Sequence, residues 1–332
     1  MTFNFKNVYL TETATVTGPY ENNGPYSKMF DKSSDEFYFG AKTFEEAESK
    51  LITEAVDILL KKGNLGKYDI DLMLSGDLLN QLAASNYAAK NFPFPFIGLY
   101  SACSTSTLGL ILGSIMIEYC NLENVVTAVS SHNNAAEKQF RYPVEYGGPK
   151  PKTTTFTCTG AAAALLTNNK SKIKIESGTI GRVIDSGIND VFNMGGVMAI
   201  SAADTIYKHL TDTGRNVNYY DLILSGDLGI YGKKILKEYI KKEYGIELKN
   251  YNDTGTMLYN LERQPVYAGA SGPACAPLVV YTDIINKMKT GELKKILLVA
   301  TGALQSQTTA NQKRTIPTAS HAISLEVAEW YI

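Results

Sequence analysis

One stretch of this chain occurs twice, and that duplication narrows the possible folds more than any single motif does. Tyr68-Asp-Ile-Asp-Leu-Met-Leu-Ser-Gly-Asp-Leu78 returns as Tyr220-Asp-Leu-Ile-Leu-Ser-Gly-Asp-Leu228, with Ser75 and Ser225 offset by 150 positions. Ala102-Cys103-Ser104 opens an apolar helix that leads to a strand over 125–131. Ala274-Cys275-Ala276 likewise opens an apolar segment that leads to a strand over 296–301. A third pair is weaker: Thr159-Gly-Ala-Ala-Ala-Ala-Leu-Leu166 matches Ser320-His-Ala-Ile-Ser-Leu-Glu-Val327. Three matches in the same order predict two related halves, 1–170 and 171–332, joined near residues 168–171.

Each half alternates helical and strand patterns. Phe44, Ala47, Leu51, Ala55 and Leu59 recur at helical spacing, and Lys61-Lys62-Gly63 ends that helix. Ile70 to Leu74 reads as a short strand, and Leu108, Ile111, Leu112 and Ile115 share one helix face. Alternation of this kind predicts layered α/β architecture. The run from Asn91 to Ile117 carries no charge, but Pro93, Pro95 and a cluster of Ser and Thr break it up. A membrane-spanning helix needs about 20 predominantly apolar residues, so the run is expected to be a core helix covered on all sides.

Charge and cysteine usage exclude some functions. Lys plus Arg number 32 against 33 for Asp plus Glu, a net charge of −1, so the global attraction of a nucleic-acid binder is missing. The four cysteines (Cys103, Cys120, Cys158, Cys275) form no Cys-x-x-Cys pair, and no structural metal site is expected. Unpaired thiols are the simpler reading of so few cysteines in so long a chain. The start, Met1-Thr-Phe-Asn-Phe-Lys6, lacks the apolar segment of a signal peptide. A chain without signal peptide or transmembrane helix is the expectation.

The chemistry-bearing residues are few. Cys103 lies within Ser101-Ala-Cys-Ser-Thr-Ser-Thr107, where a strand hands over to a helix. Unpaired N–H groups and the helix dipole there are expected to lower its pKa and favour a nucleophilic thiolate; a small buried residue at a tight junction is the plainer alternative. The chain has three histidines: His132 closes the strand over 125–131, His321 heads the last strand, and His209 lies in an amphipathic helix beside Lys208 as a surface or packing residue. The segment from Glu137 to Lys152 interleaves Lys138, Arg141, Lys150 and Lys152 with Phe140, Tyr142 and Tyr146. Such a loop suits a planar anion, because an Arg fork grips a carboxylate and rings stack.

At these residues the chain resembles the thiolase and ketoacyl synthase superfamily. More closely, from about residue 18 onward, it resembles the stage V sporulation protein AD family of endospore formers. The matching segments include Gly76-Asp-Leu-Leu-Asn-Gln81, Ala102-Cys-Ser-Thr105, Ser130-Ser-His-Asn133, Gln139-Phe-Arg-Tyr-Pro-Val-Glu-Tyr-Gly147, Thr157-Cys-Thr-Gly-Ala161, Asn193-Met-Gly195, Ala300-Thr-Gly-Ala-Leu304 and Ile316-Pro317 with His321-Ala322. The resemblance implies a thiolase-like five-layer α-β-α-β-α fold built from two duplicated halves. It implies a non-catalytic protein that binds dipicolinic acid (pyridine-2,6-dicarboxylate), alone or as its calcium chelate. It further implies work with co-encoded membrane proteins at the forespore inner membrane, in dipicolinate uptake and in its release on germination. No cofactor is implied.

The sequence departs from its relatives in places. Ser101 stands where the family has Gly, and Gly269-Ala-Ser-Gly-Pro-Ala-Cys275 replaces a Gly- and Cys-richer segment. Synthases carry His in segments that read Asn252-Asp-Thr-Gly-Thr256 and Ala268-Gly-Ala-Ser-Gly272 here. Neutral Asn is no general base, a role worth roughly 10²–10⁴-fold in rate. The competing reading is an active acyltransferase using Cys103. The expected ligand site lies at the junction of the halves: Cys103, Ser104, His132, Phe140, Arg141, Tyr142 and His321. There Arg141 grips one carboxylate, Phe140 or Tyr142 covers the ring, and Ser104 with the helix amides meets the other carboxylate. Homodimerisation is expected through the strand over 125–131.

Overall fold

The computed structural model describes residues 1–140 and 149–329. Each half contributes five main strands. The first half has β1 (Tyr9–Thr17), β2 (Leu72–Gly76), β3 (Phe96–Gly98), β4 (Asn124–Ser131) and β5 (Gly160–Thr167). The second has β6 (Ile173–Ile180), β7 (Leu222–Ser225), β8 (Tyr251–Asp253), β9 (Lys295–Ala303) and β10 (Pro317–Val327). Their order is β8-β7-β9-β10-β6-β1-β5-β4-β2-β3, a palindrome when the halves are equated. In each half the last strand runs antiparallel between its two neighbours, and the second strand is parallel to both of its own. All three sequence correspondences therefore fall on equivalent positions.

The sheets meet through the short β1–β6 contact, Tyr9 opposite Lys174 and Leu10 opposite Ile173, and elsewhere enclose a helical layer. That layer contains α3 (Thr105–Cys120), which packs on β2, β4 and β5 from one side and β6, β9 and β10 from the other. The helix from Cys275 to Val279 and that from Ile285 to Thr290 share the layer. Outside the first sheet lie α1 (Phe44–Gly63) and α2 (Ala83–Ala89). Before the fifth strand comes α4 (Asn133–Phe140), and outside the second sheet lie α5 (Met194–Thr213) and α6 (Gly229–Tyr244). The five layers hold three large apolar cores, one central and two outer, and a small fourth cluster of Leu78, Ala102 and Ala136.

The absence of charge in α3 as far as Ile117 follows from its position between sheets; its one acid, Glu118, lies at the exposed end and accepts from the Lys6 and Asn7 N–H groups. Two of its buried hydroxyls are satisfied locally: Ser114 donates to the Leu110 carbonyl (2.7 Å) and Thr107 to that of Ser104 (3.1 Å), whereas Ser106 Oγ has no partner among the described residues. Ala102–Cys120 is long and apolar enough to cross a membrane by composition, but here it is a core helix, mostly buried.

One expectation is overturned. The strand over 125–131 belongs to β4, which is paired on both sides, antiparallel to β5 along its whole length and parallel to β2 from Val125 to Val129. An interior strand has no free N–H or C=O row, so a second copy cannot pair with it. Among the described residues, the open edge of the first half is β3, which carries the exposed Ile97.

Candidate functional site

Cys103 sits in a 3-10 turn, Ala102–Ser104, that leads into α3. The turn is tight, since Ala102 takes a left-handed φ of 47°. It nests against β9 at Gly302, where a Cβ would strike the Ser101 carbonyl oxygen and Ser104 Oγ. Only glycine allows the strand and the turn to approach this closely.

The groups around the thiol set its chemistry. Asp227, at the turn after β7, takes a φ of 66° and sits beside the thiols of Cys275 and Cys103. Its Oδ2 accepts from the Gly272 N–H (2.9 Å), and no nitrogen or oxygen donor reaches Oδ1 among the described residues. Burial pushes this carboxyl up to about 8, against the favourable effect of the two thiols and the Gly272 amide. Burial also pushes Cys103 well above the usual thiol range, and the neighbouring Asp227 adds to the rise. Cys158 and Cys275 shift the same way, first through burial. The expected lowering by the helix dipole is thus reversed: desolvation and a carboxyl partner outweigh it, and Cys103 is a neutral thiol near pH 7.

No histidine is positioned to change this. His321, on β10, accepts from the Gly181 N–H at Nδ1 (3.2 Å), so its proton is on Nε2, which lies 2.9 Å from Ser101 Oγ. Burial lowers its pKa to about 4, keeping it neutral. Ser101, the residue that departs from the family's glycine, is therefore the one that occupies His321; its Oγ also lies 2.7 Å from Ser104 Oγ. Ser104 donates to the Ser101 carbonyl (2.7 Å) and is fully buried beneath the turn. His132 faces the first outer layer, with Nε2 2.7 Å from the Phe37 carbonyl and its ring 5.1 Å from that of Phe44. His209 is a packing residue, bridging Thr179 Oγ1 (2.8 Å) and the Tyr220 hydroxyl (2.9 Å).

Cys103 and Phe140 line one cavity of about 30 Å³ with Leu78, Tyr100, Ala136, Met194, Ser271 and Gln305 among its other walls. Of the seven residues expected to form the site, those two come together here. Ser104 and His321 lie behind the Cys103 turn, His132 lies elsewhere, and Arg141 and Tyr142 fall outside the described residues. Sequence reasoning passed over Asp227, Ser271 and Gln305. Asp227 is in the repeated Ser-Gly-Asp-Leu, and Ser271 is in the segment noted for its missing histidine. Gln305, next to Leu304, carried no signal. Asn252 is not a histidine substitute at the thiol, since its Oδ1 accepts from Lys233 Nζ (2.6 Å). A larger groove of about 720 Å³ between α1 and α2 contains neither the thiols nor Asp227.

This architecture, with a cysteine at the head of the central helix, defines a thiolase-like fold. It superposes on 3-oxoacyl-[acyl-carrier-protein] synthase III from Aquifex aeolicus with a TM-score of 0.57 at 17% identity, over 96% of this chain and 97% of that one. A variant of OleA from Xanthomonas campestris gives a TM-score of 0.61 at 15% identity, over 97% and 98%. Within that class the assignment is specific. The family of stage V sporulation protein AD matches residues 1–326, and the Bacillus subtilis (strain 168) protein of that name is 43% identical over 322 residues, 97% of this chain and 95% of that one. The chain belongs to the stage V sporulation protein AD family.

Proposed function

We propose that this chain is a non-catalytic binder of dipicolinate, acting in its uptake into the developing spore and its release on germination. The observation that carries the reading is the Cys103 cavity. It lies at the head of the central helix of a synthase-like fold, yet burial holds its thiol in the neutral form and the nearby His321 is engaged with Ser101 and the Gly181 amide. A site that keeps the pocket without the base is suited to holding a ligand. Apolar walls and Phe140 suit an aromatic ring, and Arg141, next in the chain, supplies the fork for a carboxylate. The cavity has room for about one water, so a ring enters only when Phe140 and the flexible Met194 turn aside.

The wider reading includes the calcium chelate as an alternative form of the ligand, a homodimer, and co-encoded membrane proteins as partners at the forespore inner membrane. Calorimetry with dipicolinate and with pyridine-2,4- and 3,5-dicarboxylate tests the proposal. Binding of the 2,6 isomer alone, without turnover of acyl-CoA, supports it; equal binding of all three isomers, or none, contradicts it. Arg141→Ala is expected to weaken dipicolinate about ten- to hundredfold, the cost of one charged hydrogen-bond partner. The second reading, an acyltransferase, rests on the position of Cys103 in a synthase fold and requires an acyl-Cys103 adduct.

A further inference from the structure

Two buried polar groups in the wall of the Cys103 cavity have no partner among the described residues. One is Ser271 Oγ, on a side chain 1% exposed; the other is Gln305 Oε1, on one 7% exposed. Both are held in place from the backbone. The Ser271 carbonyl accepts from the Cys158 N–H (2.8 Å), and the Gln305 carbonyl accepts from the Tyr100 hydroxyl (3.0 Å). The Gln305 amide nitrogen has the Met194 sulfur at 3.5 Å, which leaves the oxygen as its unused end. Buried polar groups in native proteins are nearly always paired, so two orphans in one cavity call for a ligand.

Their chemistry is complementary: a hydroxyl that donates and an amide oxygen that accepts. A carboxylate presents two acceptors and would leave Gln305 facing like charge. A protonated carboxyl, or a primary amide, presents one donor and one acceptor and satisfies both. The described wall residues include no Lys, Arg or His to neutralise an anion. We infer that the inner end of this cavity recognises a carboxyl in its neutral, protonated form through Ser271 and Gln305, while the other end of the ligand remains ionised outside. The inference rests on the dipicolinate reading and adds to it that the bound species carries one proton.

Among the described residues, the groups facing this end do not supply a positive charge. Cys103 and Tyr100 are neutral at pH 7, each pushed up by burial, Tyr100 to about 12. Asp227 stands behind Cys103, Asp77 lies near Tyr100, and His321 is neutral behind Ser101. On α4, Glu137 is paired with Lys150 (2.6 Å).

The test is calorimetry on the full chain at pH 6, 7 and 8 with dipicolinate and with its monoamide, 6-carbamoylpyridine-2-carboxylate. Dipicolinate affinity is expected to fall about tenfold per pH unit, with uptake of one proton seen by changing the buffer. The monoamide should bind with no such slope and be the tighter ligand at pH 8. Ser271→Ala and Gln305→Met should each weaken the monoamide about tenfold with the fold unchanged by circular dichroism. Dipicolinate binding that is flat with pH, or a monoamide that shows the same slope, overturns the inference and leaves dipicolinate binding itself standing. Failure of both ligands to bind at any pH removes the dipicolinate reading, and the inference with it.

Discussion

In the first half, Asp77 follows β2 and serves the backbone: Oδ1 accepts from the Leu79 N–H (2.8 Å) and Oδ2 from that of Ser85 (2.8 Å) at the start of α2. In the second half, Asp227 follows β7 in the same Ser-Gly-Asp-Leu sequence but turns inward to the thiols. Its capping work has passed to Asp253, which accepts from the Leu228 and Gly229 N–H groups (3.1 and 2.9 Å) and from Ser225 Oγ (2.7 Å) at the start of α6. The second half thus spends two buried acids where the first uses one. Duplication provided a spare, and the spare sits at the molecule's centre in a left-handed conformation that a non-glycine residue rarely adopts.

If that division of labour is right, the three aspartates respond differently to mutation. Asp253→Ala strips acceptors from three buried donors and should cost about 3 kcal/mol in denaturant unfolding. Asp77→Ala strips two and should cost about 2 kcal/mol. A loss below about 0.5 kcal/mol at either site would show that capping is not their role.

Asp227→Asn should sharpen the contrast through pH. The folded pKa of Asp227, about 8, lies above its ordinary 3.8, so its protonated form stabilises the fold. That contribution is complete below about pH 4 and is lost as pH rises towards 8. Asparagine does not titrate. The variant should therefore gain on the parent from pH 5 to 8, by at most about 1.4 kcal/mol per pH unit, and level off above that. Parallel stability curves for the two proteins would place Asp227 in a wetter setting. A smaller effect is expected at Ser101→Gly, which frees His321 Nε2 and should change stability by about 1 kcal/mol, read by thermal unfolding.

The fold was legible because duplication leaves a trace in order as well as in residues. Strand pairing at β4 was not legible, since a run of Val and Ala describes an interior strand and a dimer edge equally well. At the site, Cys103 was visible by its place between strand and helix. The direction of its pKa shift was not, because burial and Asp227 act through space. Asp227 was visible as a repeat and invisible as a function: identical letters in Asp77 and Asp227 conceal different partners, the Leu79 and Ser85 amides for one and the thiols with the Gly272 amide for the other. Ser271 and Gln305 are ordinary residues in sequence, and only the lack of partners for Ser271 Oγ and Gln305 Oε1 among the described residues marks them.

The central claim, a ligand pocket built around an inert thiol, is tested most directly by the rate of Cys103 alkylation against pH, read by peptide mass spectrometry with and without dipicolinate. Exposed Cys120 serves as the internal reference. The account predicts that Cys103 reacts far more slowly than Cys120 at pH 7, that its rate is still rising above pH 9, and that dipicolinate slows it about tenfold or more. A Cys103 rate that plateaus below pH 7, or one that dipicolinate leaves unchanged, would contradict it.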